Sequence, residues 1–423
     1  MTFQRKLNLY IFLFLYFFLM LSSPAYSEKI YLGIDQLFTS NYSNLLQGRK
    51  VGLVTHHAAI NREGLNSVEI FKRNSMKYPY KLTALYAPEH GITGAAHASE
   101  FIKDAKDSDN IPIYSLHGKT KRLNDSMVKN VDLLVYDMQD IGSRSYTYIT
   151  TLFYVMEEAA KYKIPLIVLD RPNPINGLVV DGPMFDEKWR SMVGHIDIPY
   201  CHGMTVGELA TFFNDEYKIG CNLQVIPMKG WKRPMSFYET GLDWIPTSPN
   251  IPEPSTPLFY PITGIIGELN LVNIGIGYTL PFKLIGAPWI NANALAQALN
   301  KQKFPGVTFK SFYYKPFYGK FANKDCEGVL IVVTNPLVYQ PVSTQYLIIG
   351  LLKSLYPKEF KQAWEKSKHR KDMFCKVNGT DEVYNIIDTQ NHIVWKLKAL
   401  HQKRREKFLV KRKKYLINTY ASP

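Results

Sequence analysis

Through the first half of the chain, short apolar runs alternate with amphipathic stretches, and each run stops at turn-forming or charged residues. Lys50–Thr55 (KVGLVT), the run of Leu82, Ala84, Leu85 and Tyr86, Ile111–Ser115, Val131–Tyr136 (VDLLVY) and Ile164–Leu169 (IPLIVL) read as strands. Between them, Ser67–Arg73, a short segment from Asp125 to Asn130 capped by Asp125, and Thr150–Tyr162 read as helices. Gly33–Gln47 reads as a lead-in helix. Strands alternating with helices over Val51–Leu169 predict right-handed βαβ units and a parallel sheet. Thr205, with Glu208 three residues on, predicts a capping box at the start of a further helix.

The proline cluster from Pro246 to Pro257 predicts a domain junction. Beyond it, Leu295–Asn300, Val307–Phe312, Val329–Thr334 and Ser343–Leu355 predict a smaller α+β domain, followed by a basic helix. The expected organisation is α/β: residues 28–255 a Rossmann-like domain with a parallel sheet, and 256–423 a smaller α+β domain. The GxGxxG fingerprint is missing, so the architecture carries no sign of a nucleotide.

Residues 1–27 stand apart. Arg5 and Lys6 precede an apolar run from Leu9 to Leu21, and Ala25-Tyr26-Ser27 supplies a cleavage site, the pattern of a signal peptide cut after Ser27. No later stretch reaches membrane length, so the expected mature protein is periplasmic or secreted, without a transmembrane segment. Cys201, Cys221, Cys326 and Cys375 form no CxxC pair and have no zinc spacing, and they read as structural. The formal charge of +15 concentrates in Lys403, Arg404, Arg405, Lys407, Lys411, Arg412, Lys413 and Lys414. For an exported protein a solvated helix face explains that run better than nucleic acid does.

The polar residues just past the strands decide the chemistry. His56, Glu89, His90, Asp137, Asp140, Arg144, Asp170 and Arg171 collect at carboxyl ends of parallel strands, the edge at which open α/β sheets bind ligands. His202, just before the Thr205 helix, is placed to face the same cleft, and Trp231, Trp244 and Tyr260 have the side chains for stacking on sugar. No GxSxG elbow and no HExxH motif occurs, and Ser126, in an isolated SxxK match, lacks its companion motifs. A carboxyl-rich cleft fits glycoside cleavage, which needs one acid to protonate the leaving oxygen and a second group as base or nucleophile. Glu89 is the expected acid, with Asp137, Asp140 or Asp170 as partner. A 2-acetamido carbonyl on the sugar is the alternative nucleophile.

Seven segments in order, LYAPEHGITG, VYDMQDIGSRSYTY, LDRPNPING, HGMTVGELA, PMKGWKR, PTSPNIP and LPFKLIGAPWI, resemble the NamZ family of exo-acting β-N-acetylmuramidases. The resemblance runs from about Lys50 to the C-terminus. It implies a Rossmann-like domain and a smaller domain with the site between them, muropeptides or other peptidoglycan fragments as substrate, and no cofactor. It places Glu89 at the family's proposed catalytic glutamate, and His90, Asp137, Asp140, Arg144, Tyr146 and Arg171 at its other polar motif positions. Arg144 or Arg171 would then pair with the lactyl carboxylate of muramic acid. One segment departs from the pattern: GELNLVNIGIGYT retains Glu268 but has Ile274 and Ile276 where relatives carry charges, which bears on specificity more than on reaction class. The competing expectation is a non-catalytic peptidoglycan-binding protein built on the same cleft.

Overall fold

The computed structural model describes residues 29–421 except 40, 98 and 99, so the expected signal peptide lies outside the described residues. A seven-stranded sheet fills the N-terminal part, in the order β3-β4-β2-β1-β5-β6-β7. The strands are β1 (Lys50–Thr55), β2 (Lys81–Ala87), β3 (Ala105–Lys106), β4 (Pro112–Ser115), β5 (Leu133–Asp137), β6 (Leu166–Leu169) and β7 (Leu223–Ile226). All pairings are parallel except that of the two-residue β3 on β4.

Side-chain alternation along these strands feeds two cores. Leu134, Tyr136 and Val168 enter the one that contains Leu152 and Leu209, from the Thr147–Lys161 and Val206–Glu216 helices. Leu133, Val135 and Ile167 enter the other, with Ile34 and Phe71. Both faces are covered, as a parallel sheet requires. The chain winds outward from β1 through β2 to β4, then restarts at β5 on the other side of β1. The switch point therefore lies between β1 and β5, where Thr55 pairs with Asp137.

The expected lead-in helix is broken into Gly33–Leu37 and a 3-10 turn at Ser43–Leu46. Asn124, one residue before the expected Asp125, caps the Asp125–Val128 helix by accepting from the Met127 N–H. The capping box of Thr205 and Glu208 is present, and the Glu208 carboxylate also holds Arg233.

The C-terminal part carries an antiparallel sheet, β8-β10-β9, from Leu284–Ala287, Cys326–Val333 and Val307–Tyr314. The Ala292–Lys301 helix packs on it, the Pro341–Leu355 helix packs on that helix and on Thr256–Leu269, and further helices follow. Among the described residues no helix is long and apolar enough to cross a membrane. All four cysteines are buried and unpaired.

The basic helix, Gln402–Arg412, is more than a solvated face. Arg404 pairs with Asp186 and Asp197, Lys411 with Glu216, and Lys414 just beyond with Asp215. Arg412 is buried and donates to the carbonyls of His202 and Gly203. Much of the positive run thus fastens the last segment onto the first domain. Tyr420 completes the attachment: its hydroxyl donates to Asp170 (2.7 Å) and accepts from the Met228 N–H (2.7 Å).

Candidate active site

Pro88 ends β2, and the backbone turns at once: His90, Gly91 and Gly94 have φ of 71°, 77° and 73°. A left-handed histidine is a costly conformation, sustained here by a bond between its Nδ1 and the Ala96 carbonyl (2.8 Å). The turn presents Glu89. Its Oε2 accepts from the Thr147 hydroxyl at 2.8 Å, on the first residue of the Thr147–Lys161 helix. Its Oε1 lies 3.7 Å from His117 Nε2. Burial holds the His117 imidazole below its usual range while Glu89 pulls the other way.

The proline-rich segment after Trp244 is fixed from three sides. Tyr146 donates to Thr247 Oγ1 (2.9 Å), Tyr148 to the Thr247 carbonyl (3.0 Å), and His57 Nε2 lies 2.6 Å from the Pro246 carbonyl. Gly94 sits against that same imidazole: a Cβ there would lie 1.8 Å from His57 Cε1. Gly94→Ala is therefore expected to displace the ring and, with it, the segment at Pro246. Gly48→Ala, at the same φ but with nothing within 4 Å, carries only the left-handed backbone cost of about 1–2 kcal/mol. The two are compared by thermal melts and by substrate affinity, and only Gly94→Ala should lower the affinity. Equal behaviour would mean that the ring moves freely.

Between the two parts lies a cavity of about 1020 Å³. Glu89, His90, Tyr146 and Thr147 line it from the first domain, and Ser248 and Asn250 from the connecting segment. Tyr260 and Glu268, on the Thr256–Leu269 helix, face it from the second domain. Ile274 and Ile276 form an apolar strip of its wall, and Lys320, Lys324 and Arg370 a cationic one. Glu268 is the second carboxyl on the wall, and burial raises its pKa while Arg370 lowers it.

The other expected site residues do not line the cavity. Asp137 and Arg171 are spent on each other in a buried two-pronged pair, Nε to Oδ1 at 2.5 Å and Nη2 to Oδ2 at 2.9 Å. Arg144 is fully buried and donates to the carbonyls of Pro183 (2.9 Å), Ile198 (2.6 Å) and Asn378 (2.5 Å), tying the two domains together. Neither arginine is placed to meet a lactyl carboxylate. Asp170 accepts from Thr205, the Gly207 N–H and Tyr420, and burial raises its pKa to about 7. Asp140, also raised to about 7 by burial, accepts from the Gly142 N–H and lies 4.0 Å from His202 Nε2. His202 is itself pushed down to about 3 by burial. His56 is buried and accepts from the Gln139 N–H.

His56, Asp137, Asp170 and Arg171 sit at strand ends as expected, but backbone and ion-pair bonds hold them among buried partners and away from the cavity lining. His117 and Thr147 are the neighbours of Glu89 that sequence reasoning left out. His117 follows β4 on the same edge, and that position was its only signal. Of the three aromatics expected to meet sugar, Tyr260 lines the cavity. Trp244 donates to the Ile251 carbonyl, and Trp231 is fully buried against Tyr420. Ser126 is exposed on the Asp125–Val128 helix, donates to Asn124 and does not line the cavity.

Among the described residues, Asp186, Glu382 and His401 are the one group that brings three metal-ligating side chains within 4.8 Å. Arg404 already occupies Asp186, and Glu382 pairs with His401 at 3.0 Å.

The fold and cavity define a two-domain α/β protein with a carboxyl-bearing cleft of the size that takes a small ligand or sugar. The chain belongs to the exo-β-N-acetylmuramidase NamZ family: the N-terminal family model matches residues 51–255 and the C-terminal one 258–418. It is 39% identical over 401 residues to the peptidoglycan β-N-acetylmuramidase NamZ of Bacillus subtilis, covering 94% of this chain and 93% of that protein. Two crystal structures of DUF1343 family proteins from Bacteroides fragilis share the fold. One is 38% identical with a TM-score of 0.85, covering 92% of this chain and 99% of the other. The second is 26% identical with a TM-score of 0.67, covering 94% and 100%.

Proposed function

We propose that this protein is an exo-acting glycosidase that removes terminal β-linked N-acetylmuramic acid from peptidoglycan fragments, with Glu89 as general acid. The observation that carries this reading is the placement of Glu89: on the wall of a sugar-sized cavity, anchored by Thr147 and beside His117, in a member of this family. A fixed carboxyl group protonates the departing oxygen and leaves the sugar ring electron-poor at its anomeric carbon. Glu268, from the opposite domain, takes the part first expected of Asp137, Asp140 or Asp170. It either draws a proton from the attacking water or orients the 2-acetamido carbonyl for attack.

On its leader-like first residues the protein acts outside the cytoplasm, periplasmic or secreted, where it would serve cell-wall turnover. The test is mass spectrometry of muropeptide digests, with NMR of the first-formed anomer. Release of free N-acetylmuramic acid from chain ends supports the assignment, inversion points to activated water, and retention to the acetamido route. Fragment binding without any release would instead identify a non-catalytic peptidoglycan-binding protein.

A further inference from the structure

The cavity's second-domain wall is cationic and built. Asn273, buried, donates through Nδ2 to the carbonyls of Ile276 (2.9 Å) and Lys320 (3.0 Å). The Phe317 N–H donates to the Gly277 carbonyl (2.7 Å), and Gly277, at φ 85°, packs so closely that a Cβ would lie 2.0 Å from the Tyr318 carbonyl oxygen. The backbone carrying Lys320 is therefore held in place against the Ile274–Ile276 strip. Arg370 approaches from the far side, its Nε donating to the Glu268 carbonyl oxygen at 2.5 Å.

Among the described residues, none of Lys320, Lys324 and Arg370 has a carboxylate within ion-pair distance. Burial, then the charges of Lys366, Lys324 and Arg370, push the Lys320 pKa down. Lys320 and Arg370 are half-buried and Lys324 is exposed, and three cations gathered around a single carboxyl group favour the arrival of a further anion. Glu268 is the one carboxyl among the residues lining this side of the cavity, its pKa raised by burial and lowered by Arg370, so it balances at most one of the three cations.

We propose that Lys320, Lys324 and Arg370 form the carboxylate-binding wall of the cavity, and that Lys320 is a specificity-determining residue which selects a muramyl unit over the same sugar without an acid. This rests on the glycosidase reading for the identity of the ligand, and not for the existence of the wall. The carboxylate has two sources: the lactyl ether on the sugar, or the end of an attached peptide.

Calorimetric titration of the purified protein separates them. The probes are N-acetylmuramic acid, its lactyl methyl ester, N-acetylmuramyl-L-alanyl-D-isoglutamine and N-acetylglucosamine. The parent should bind at least one of the two acids on the order of 10- to 100-fold more tightly than the neutral sugars. Lys320→Gln and Lys324→Gln should remove that preference while leaving affinity for the methyl ester unchanged, a result that loss of folding would not give. Preference for N-acetylmuramic acid assigns the lactyl group; preference confined to the peptidyl compound assigns the peptide acid. Equal binding of acid and ester by the parent, or equal weakening of every probe in the variants, overturns the proposal. Charge-selective binding without glycoside cleavage would overturn the glycosidase reading alone.

Discussion

Glu89→Gln is expected to lower kcat/KM on a natural muramyl–glucosaminyl linkage by roughly 100- to 10,000-fold, the range that a positioned general acid contributes. Glutamine keeps the volume, and its amide oxygen can still accept from Thr147 Oγ1, which holds Oε2 at 2.8 Å in the parent. The geometry survives and the transferable proton does not, so KM should move little. Leaving groups sharpen the test. A nitrophenolate departs without protonation, so the loss on an activated aryl muramide should be much smaller than on the natural linkage. Parent-like rates on the natural substrate would remove Glu89 from the reaction.

The second large effect is on stability. Arg171→Met should destabilise the fold by about 3–5 kcal/mol, because it leaves the buried Asp137 carboxylate without its cationic partner. Arg171 supplies two bonds to that carboxylate and a third to the Ile60 carbonyl at 2.9 Å, while Ser67 also donates to Asp137. The melting temperature should fall on the order of 10 °C. Adding Asp137→Asn should recover much of the loss, since the orphaned charge is then gone. A double variant no more stable than the single one would show that packing, and not the stranded charge, dominates.

The parallel sheet was legible because its strands are short apolar runs with clear stops, and β1 is matched to the residue. Glu89 was legible for the same reason: Pro88 ends β2 and leaves the next side chain on the ligand-facing edge. The depth of that edge was not. Asp137 is the last residue of β5, one position short of leaving the sheet, and so it pairs inside with Arg171. Arg144 lies in a motif rich in polar residues, yet its partners are carbonyls at Pro183, Ile198 and Asn378, contacts that local pattern does not encode. The cationic wall was hidden in another way. Lys320 and Arg370 are fifty positions apart, in segments without a motif, and meet only because the loop tied by Asn273 and the turn before the Lys371–Asn378 helix reach the same cavity.

The attachment of Tyr420 to Asp170 and Met228 bears on how the protein is made. Residues emerge from the ribosome in order, so the sheet from β1 to β7 is synthesised well before the side chain that fills its last gap. Until residue 420 arrives, the Asp170 carboxylate lacks its phenolic donor and Trp231 lacks the ring packed edge-on against it. The first domain therefore cannot close fully until residue 420 is available to it, wherever along its synthesis or transport the chain folds.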